Sequence, residues 1–271
     1  MITAEVVLDS VCVNYRLTTL KLRMPRYILP QFLTHRQFSR NAQSSRAMPI
    51  PTMVKQVRSG MVVPVRWGKY QKGMQCHDAL TGWRKLLAKA LWKGAGHLAC
   101  LLASTFYKLQ LGKEIANRVL EPCAYVTVLV SATEWDNFFD LRLHNDAQPD
   151  IQQLAYCMQQ AIEHSNPQVL GNREWHLPFI TQREQDGEFT YSELCAISAA
   201  RCARVSYDNL DGNKADPVKD MRLGFWLRDA GHLSPWEHVA TPCLFDSPGN
   251  YQGWMQARHL KDEEIGNVSD Q

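Results

Sequence analysis

Apolar and polar residues alternate along the first part of the chain, and a period of two residues is typical of β-strands. The alternation covers residues 4–23 and is interrupted by a turn signal at Asn14, which predicts a β-hairpin. The β-branched run at residues 124–130 predicts a buried strand. Residues 27–33, which lie between the two predicted elements, suit a short helix.

Helical periodicity dominates residues 79–111, where lysines and arginines lie off an apolar stripe. Gly94 and Gly96 predict a break into two helices, and we expect the cationic side to face solvent. The same period predicts further helices at residues 135–141, 149–162, 191–204 and 217–230. We expect Ser131 or Thr133 to cap the first of these four.

Two stretches lack a periodic pattern. Proline and glycine punctuate residues 49–73 and residues 166–189, so we predict irregular excursions at the surface in both places. The remaining order of strands and helices indicates an α/β (α+β) protein.

The chain has 271 residues, 45% of them hydrophobic, which is enough to bury a substantial core. A net charge of +3 is too small to indicate a nucleic-acid-coating or membrane-surface protein, so we expect any anion to be recognised locally. The eight cysteines include no Cys-x-x-Cys pair and are expected to be buried, reduced thiols, with no metal site. Because we find no leader pattern and no long uncharged apolar run, we expect a soluble cytoplasmic protein.

Residues 31–46 concentrate donor groups of the types that bind phosphate. These donors are guanidinium groups at Arg36, Arg40 and Arg46, hydroxyls at Ser39, Ser44 and Ser45, and amides at Gln31 and Asn41. Composition alone favours a solvated surface loop, and a phosphate-binding loop is the alternative.

A second polar segment ends at Arg142, which follows an aromatic block and could fork onto a planar carbonyl or imide edge. Its structural alternative is an ion pair with a nearby carboxylate, for which the candidates are Asp140, Asp146 and Asp150. The third segment, residues 231–238, is explained locally by Ser234 as a helix cap with Glu237 at the third helical position. No catalytic triad, P-loop or dinucleotide fingerprint is visible in the sequence.

Three motifs together resemble the flavin-dependent thymidylate synthases. Residues 34–46 are similar to the family signature Arg-His-Arg-x-x-Ser-x-Asn-Glu-x-Ser-x-Arg, with matches at His35, Arg36, Ser39, Asn41, Ser44 and Arg46. Residues 137–142 resemble the family's Asn-Phe-x-x-Leu-Arg helix, and residues 231–238 resemble its Gly-His-x-Ser/Thr-x-x-Glu-His segment. Three separate motifs make chance a poor explanation.

The order of these motifs differs from the family's common order, in which the Gly-His-x-Ser segment lies just upstream of the signature. Here it lies near the C-terminus, so the chain resembles a circularly permuted, phage-type member. The resemblance implies one domain over residues 1–271, with a mixed or antiparallel sheet flanked by helices.

By resemblance, the protein would make dTMP from dUMP, with methylenetetrahydrofolate as carbon donor, FAD as hydride carrier and NADPH as reductant. The residues expected to bind dUMP are Gln31, Ser44, Arg46, Arg118 and Arg142. Arg142 would polarise the uracil and, with Ser44, is assigned a catalytic role, while Ser44 and Arg46 would take the phosphate. The residues expected to bind FAD are His35, Arg36, Asn137, Ser206, Ser234 and Glu237. The family also implies a homotetramer with shared active sites, and neither a membrane nor a nucleic acid polymer is expected as a partner.

Two positions depart from the signature. Thr34 stands where the family has arginine, and Ala42 stands where it has glutamate. Flavin-dependent hydroxymethylation of a pyrimidine nucleotide therefore stays open. A catalytically silent nucleotide-binding relative is the rival from another class.

Overall fold

The computed structural model describes residues 1–74, 76, 78–171, 174–205, 216–243, 248–261 and 264–265. The strands are β1 Thr3–Cys12, β2 Tyr15–Pro25, β3 Ser39–Ala42, β4 Tyr125–Ala132, β5 Gln168–Val169, β6 Ala240–Pro242 and β7 Trp254–Gln256. The helices are α1 Leu29–Phe32, α2 Ile50–Ser59, α3 Gly82–Lys108, α4 Lys113–Ala116, α5 Asp136–Arg142, α6 Pro149–Glu163, α7 Gln182–Gln185, α8 Tyr191–Arg204 and α9 Pro217–Asp229. Short 3-10 helices lie at Arg26–Ile28, Asn117–Cys123, Ser234–His238 and Ala257–His259.

Five strands form the main sheet in the order β3-β4-β2-β1-β5. Strands β3, β4, β2 and β1 pair antiparallel, and β5 pairs parallel with β1. The predicted hairpin and the predicted strand after residue 124 are both confirmed as β1, β2 and β4. The sheet is mixed and flanked by helices, as expected.

The main core lies between this sheet and α1, α5 and α6. Helix α6 begins with a proline in its first turn and buries the stripe Ile151, Leu154, Ala155 and Met158 against the sheet. Arg16, just after the hairpin turn, forms an ion pair with Asp9 at 2.6 Å and donates to the carbonyl of Ile162 at 2.8 Å. This arginine ties the hairpin turn to the C-terminal end of α6.

The predictions for residues 31–111 are partly wrong. The polar signature segment was expected to be a loop, but its middle forms β3, because β4 offers an unpaired edge to it. The expected irregular excursion at 49–73 contains α2, which buries Met53 and Val57 in a second cluster with α3. The expected break at Gly94 and Gly96 is absent from α3, which is continuous.

Gly96 has a packing role instead of a helix-breaking one. A Cβ atom at this position would lie 3.3 Å from the Sγ atom of Cys123 and would collide with the side chain of Met61. A residue without a side chain therefore lets α3 approach its neighbours closely.

Helix α3 leaves most of its apolar side chains exposed, including Leu91 at 66% and Leu101 at 59%. It is long and apolar enough to pass a length-and-composition test for a membrane span, which the sequence reading did not anticipate. Core helices of soluble proteins pass the same test, although only 17% of the apolar window of α3 is buried inside this chain.

A third cluster is built by α8, α9 and the segments around Trp175 and Trp236. The helices predicted at 191–204 and 217–230 are confirmed as α8 and α9. The expected surface excursion at 166–189 is buried in its middle, where Trp175, His176 and Leu177 pack inside. Trp175 and Leu177 join the third cluster, and His176 contacts Thr19 of β2 and Ser10 of β1.

Two expected helix caps do not form. Helix α5 begins after Trp135 without a side-chain cap, so neither Ser131 nor Thr133 has the expected role. The segment after Gly231 is a 3-10 helix whose N-cap is Leu233, and Ser234 does not cap it. Ser131 instead lies in β4, where its hydroxyl is committed to buried contacts.

Candidate active site

A cavity of about 770 Å³ opens where α1, the start of β3, the end of β4, α5 and the β1–β2 turn meet. Its lining consists of residues 14–16, 34–38, 133–138, 141–142 and 252. The lining contains the cations Arg16, Arg36 and Arg142 and the carboxylates Glu134 and Asp136. This size lies within the range of ordinary small-molecule sites.

Four of the residues expected to bind ligands meet in this cavity. They are His35, Arg36, Asn137 and Arg142, contributed by the end of α1 and by α5. The two segments lie more than 100 residues apart in the chain, and the packing of α1 and α5 on the same core brings them together. Arg36 and Asn137 are exposed, so both side chains can reach a ligand.

Arg142 uses one edge of its guanidinium within the protein. Its Nε donates to Nε2 of His35 at 3.0 Å, and its Nη2 donates to Oγ1 of Thr34 at 3.4 Å. In the described part of the chain it forms no ion pair with Asp140, Asp146 or Asp150, the structural alternative read from the sequence. Its remaining donors line the cavity.

His35 is buried among aromatic rings at the back of the cavity. Its ring stacks on Phe38 at 5.8 Å and meets Phe138 edge-on at 4.8 Å. Burial, and then the facing cations Arg142 and Arg40, lower the pKa of His35 below its ordinary value. The ring is therefore neutral at pH 7.

Three of the residues expected to bind dUMP, including the two expected to take its phosphate, lie elsewhere in the chain. Ser44 and Arg46 belong to the turn after β3, and Arg118 belongs to the 3-10 helix before β4. Glu121 joins these segments, because it accepts from Ser45 at 2.6 Å and from Arg118 at 3.0 Å. Arg46 is exposed beside them.

Asn117 fixes the backbone of that turn. Its Nδ2 donates to the carbonyl of Ser45 at 2.8 Å and to the carbonyl of Met48 at 2.9 Å. The turn and the cavity around His35 are thus two separate groups of donors within one chain. The expected nucleotide site is divided between them.

The other expected site residues are more scattered. Gln31 is half-buried in α1, and its carbonyl accepts from Thr34 at 2.7 Å. Ser234 and Glu237 lie in the 3-10 helix that packs on β3. Ser234 is exposed, whereas Glu237 forms an ion pair with Arg258. Ser206 lies outside the described residues. The 3-10 helix at residues 234–238 packs on the signature strand β3, and the permuted order stays a prediction.

The C-terminal segment holds the signature strand in place through contacts that the sequence did not suggest. Gln256, which is 1% exposed, donates to Oγ of Ser39 at 2.9 Å and to the carbonyl of Glu237 at 3.0 Å. Asn250 donates to the carbonyl of Gln37 at 2.7 Å. These contacts add to the pairing with β4 in positioning the start of β3.

A row of buried polar side chains that contact one another lies beneath the sheet. Ser131 contacts His238 Nδ1 at 2.8 Å and Thr19 at 2.6 Å, and Thr19 contacts Nε2 of His176 at 2.8 Å. Nδ1 of His176 then contacts Ser10 at 2.8 Å. Burial lowers the pKa of each histidine to about 3, so both are neutral at pH 7.

Several residues that line the cavity had no site role assigned from the sequence, although Thr34 was noted there as a departure from the signature. Thr34 touches Arg142, Gln252 pairs with Glu134, and Tyr15 comes from the hairpin turn. The hairpin turn was visible as a structural signal, but nothing in the sequence placed it beside α5. Gln252 carries no recognisable motif.

The described cysteines lie outside the cavity lining, and none forms a disulfide. Burial raises the pKa of the Cys195 and Cys202 thiols, which makes them poor nucleophiles. Among the residues that the structure describes, no group of three metal-ligating side chains is assembled.

The model of the family described as Thymidylate synthase complementing protein, Thy1, matches residues 14–168, more than half of the chain. The match contains the signature segment, Arg118 and the α5 motif, and it leaves residues 231–238 outside. No curated protein matches the chain.

Solved structures of the UMP/dUMP methylase PolB from Streptomyces cacaoi are similar in fold. The complex with 5-Br dUMP has a TM-score of 0.50 and 16% identity, over 60% of this chain and 90% of PolB. The complex with 5-Br UMP has a TM-score of 0.50 and 17% identity, over 60% of this chain and 88% of PolB. With the family model matching over half its length, this chain belongs to the Thy1 family of thymidylate synthase complementing proteins.

Proposed function

We propose that this protein is an FAD-dependent enzyme that transfers a one-carbon unit from methylenetetrahydrofolate to C5 of dUMP. The product is dTMP, and NADPH is the reductant. The observation that carries the proposal is the meeting of His35, Arg36, Asn137 and Arg142 in one cavity. The similarity in fold to a UMP/dUMP methylase supports a pyrimidine nucleotide as the substrate.

The cavity suits a large, flat, polar cofactor. Trp135, Phe38 and Phe138 give it an aromatic side, while Arg36 and Asn137 supply exposed donors for phosphate and ring atoms. The Nε1 atom of Trp135 is buried and has no hydrogen-bond partner among the described residues, so an acceptor is missing there. FAD, when bound, would supply the hydride chemistry.

In this proposal Arg142 binds the uracil through its free donors and polarises it, so that C5 can attack the methylene carbon. Its neighbour His35 stays neutral and keeps the guanidinium in place. Ser44, Arg46 and Arg118 bind the phosphate from their separate position. Burying the base beside aromatic rings excludes water from the reacting carbon.

The separation of the two donor groups supports a site shared between subunits. We propose a homotetramer in which the cavity of one subunit faces the Ser44–Arg46 turn of another. The exposed apolar side chains of α3 offer a surface that a second copy would bury. The location proposed for the assembly is the cytoplasm.

Purification and visible spectroscopy test the proposal first. Bound FAD gives a yellow protein with absorbance maxima characteristic of flavin. A colourless protein that does not take up FAD overturns the proposal and leaves a silent nucleotide-binding protein.

A product assay then identifies the reaction. The purified protein is incubated with dUMP, NADPH and methylenetetrahydrofolate, and the nucleotide is analysed by mass spectrometry. A mass gain of one methyl group supports the proposal, whereas a hydroxymethyl product identifies the rival reaction. Heat-inactivated protein is the matched control.

A further inference from the structure

Two neutral acceptors, adjacent in the chain, face one edge of Arg142. Nε2 of His35 lies 3.0 Å from Nε of Arg142, and Oγ1 of Thr34 lies 3.4 Å from Nη2. Arginine only donates, so both atoms must present lone pairs. His35 is therefore the tautomer that carries its proton on Nδ1.

The hydroxyl of Thr34 is oriented for this role. Its proton goes to the carbonyl of Gln31 at 2.7 Å, which leaves a lone pair free to accept from Arg142. A backbone carbonyl in α1 thus sets the direction of the acceptor. A side chain without a hydroxyl at position 34 would leave Nη2 without this partner.

His35 is held just as firmly. Its carbonyl accepts from Nη1 of Arg40 at 2.7 Å, and its ring lies between Phe38 and Phe138. The charged groups that act on the ring are Arg142 and Arg40, and both disfavour a second proton on it. The acceptor at Nε2 is maintained while the ring is neutral.

We propose that Thr34 and His35 are positioning residues that fix the guanidinium of Arg142, so that its opposite end points at the planar carbonyl or imide edge of the substrate base. The contact with His35 and Thr34 occupies the Nε/Nη2 edge. The Nη1/Nη2 end remains, and its parallel donors suit bidentate recognition of a planar group. This inference rests on the proposed function, because it takes the base to be a pyrimidine.

Thr34 stands where the family signature has arginine, and this difference affects the side chain of Arg142. An arginine at position 34 would bring a second cation against Arg142, whereas threonine offers an acceptor. The identity of residue 34 thus sets the orientation of the arginine that contacts the base.

The test compares Thr34→Val with Thr34→Ser in the flavin-loaded protein. Valine keeps the shape of threonine without its hydroxyl, and serine keeps the hydroxyl without the methyl group. The side chain is exposed, so both variants are expected to fold with an unchanged melting temperature and flavin content. We expect Thr34→Val to lower kcat and to weaken dUMP binding by roughly tenfold, the effect of losing one hydrogen bond to a charged group.

Thr34→Ser is expected to restore both values to within about twofold of the original. Wild-type behaviour in Thr34→Val overturns the proposal, and so does an equal loss in both variants, because the hydroxyl would then not matter. Calorimetric titration with dUMP gives a readout that does not require turnover. If the unmodified protein binds dUMP but makes no product, the proposed function fails while the positioning role is still measured.

Discussion

Gln256 donates to Oγ of Ser39 at 2.9 Å, which joins the C-terminal strand β7 to the signature strand β3. The same Nε2 atom reaches the carbonyl of Glu237 at 3.0 Å. One buried amide therefore connects three segments that lie far apart in the sequence. The signature strand depends on this contact as well as on its pairing with β4.

Gln256→Leu is expected to destabilise the protein by about 1–3 kcal/mol, because the hydroxyl of Ser39 and the carbonyl of Glu237 lose a buried donor. Urea unfolding measures the change. Gln185→Leu, at an exposed position of α7, is the matched control and should stay within about 0.5 kcal/mol. Equal stability of the two variants would show that the contact contributes nothing.

Arg142→Ala is expected to abolish turnover while flavin content stays largely unchanged, because Arg142 is assigned to the nucleotide. Arg142→Lys keeps the charge but lacks the planar fork, so we expect at least a tenfold loss of kcat. Steady-state kinetics and the visible spectrum of each purified variant check both statements. Retained activity in the alanine variant would remove Arg142 from the mechanism.

A site shared between subunits predicts that two inactive variants rescue each other. Arg142→Ala and Arg118→Ala each disable one of the two donor groups, which lie apart in a single chain. Dissociation and reassociation of the mixture should produce some sites with both groups intact, and activity should reappear. Each variant treated alone is the control, and a mixture as inactive as its components contradicts a shared site.

The exposed face of α3 predicts where the subunits meet. Leu101→Glu places a charge on an apolar side chain that is 59% exposed in one chain, so we expect a smaller species by analytical ultracentrifugation. Lys93→Glu also changes charge on α3, off the apolar stripe, and is the control. If the Leu101→Glu assembly has the same mass as the unmodified assembly, the interface lies elsewhere.

The buried histidines predict a loss of stability in mild acid. Burial lowers the pKa of His176 and His238 to about 3, whereas an unfolded histidine titrates near 6.5. Unfolding therefore takes up protons below pH 6.5, and this stabilisation, present above that pH, is lost as pH falls towards 3. Each histidine contributes a slope of up to about 1.4 kcal/mol per pH unit.

The free energy of unfolding, measured with urea between pH 7.5 and pH 5, checks this expectation. The ion pair of Glu184 with Arg201 lowers the pKa of Glu184 to about 2, so the stabilisation from this carboxylate is constant above about pH 4.5 and is lost only as pH falls from there towards 2. His176→Gln removes one titrating group and should flatten the dependence on pH. An unchanged slope in that variant would contradict the assignment.

Periodic sequence patterns correctly predicted the elements that bury one face against a single core. The β1–β2 hairpin and α6 were readable because their alternation or apolar stripe faces one continuous core. The pattern on α3 was misread, because its apolar stripe stays exposed and Gly96 serves close packing. A stripe alone does not tell whether a core or another surface covers it.

The family motifs carried the assignments of site residues, and the roles of those residues stay predictions. His35, Arg36, Asn137 and Arg142 were assigned from the family resemblance, and the structure brings them into one cavity. The contribution of Thr34 depends on the rotamer of a residue 108 positions away, which no local pattern encodes. The contacts of Asn250 and Gln256 are equally remote, and both residues lie outside the segment matched by the family.

The position of His176 has a consequence for synthesis of the chain. Its ring contacts Ser10 and Thr19, which leave the ribosome 166 and 157 residues earlier. The hairpin and β4 are synthesised before residue 176, so the buried polar groups beneath them lack this partner until much later. Contacts of such long range slow folding and leave early chains open to aggregation. The order of synthesis thus makes the signature strand one of the first parts to appear and one of the last to reach its final surroundings.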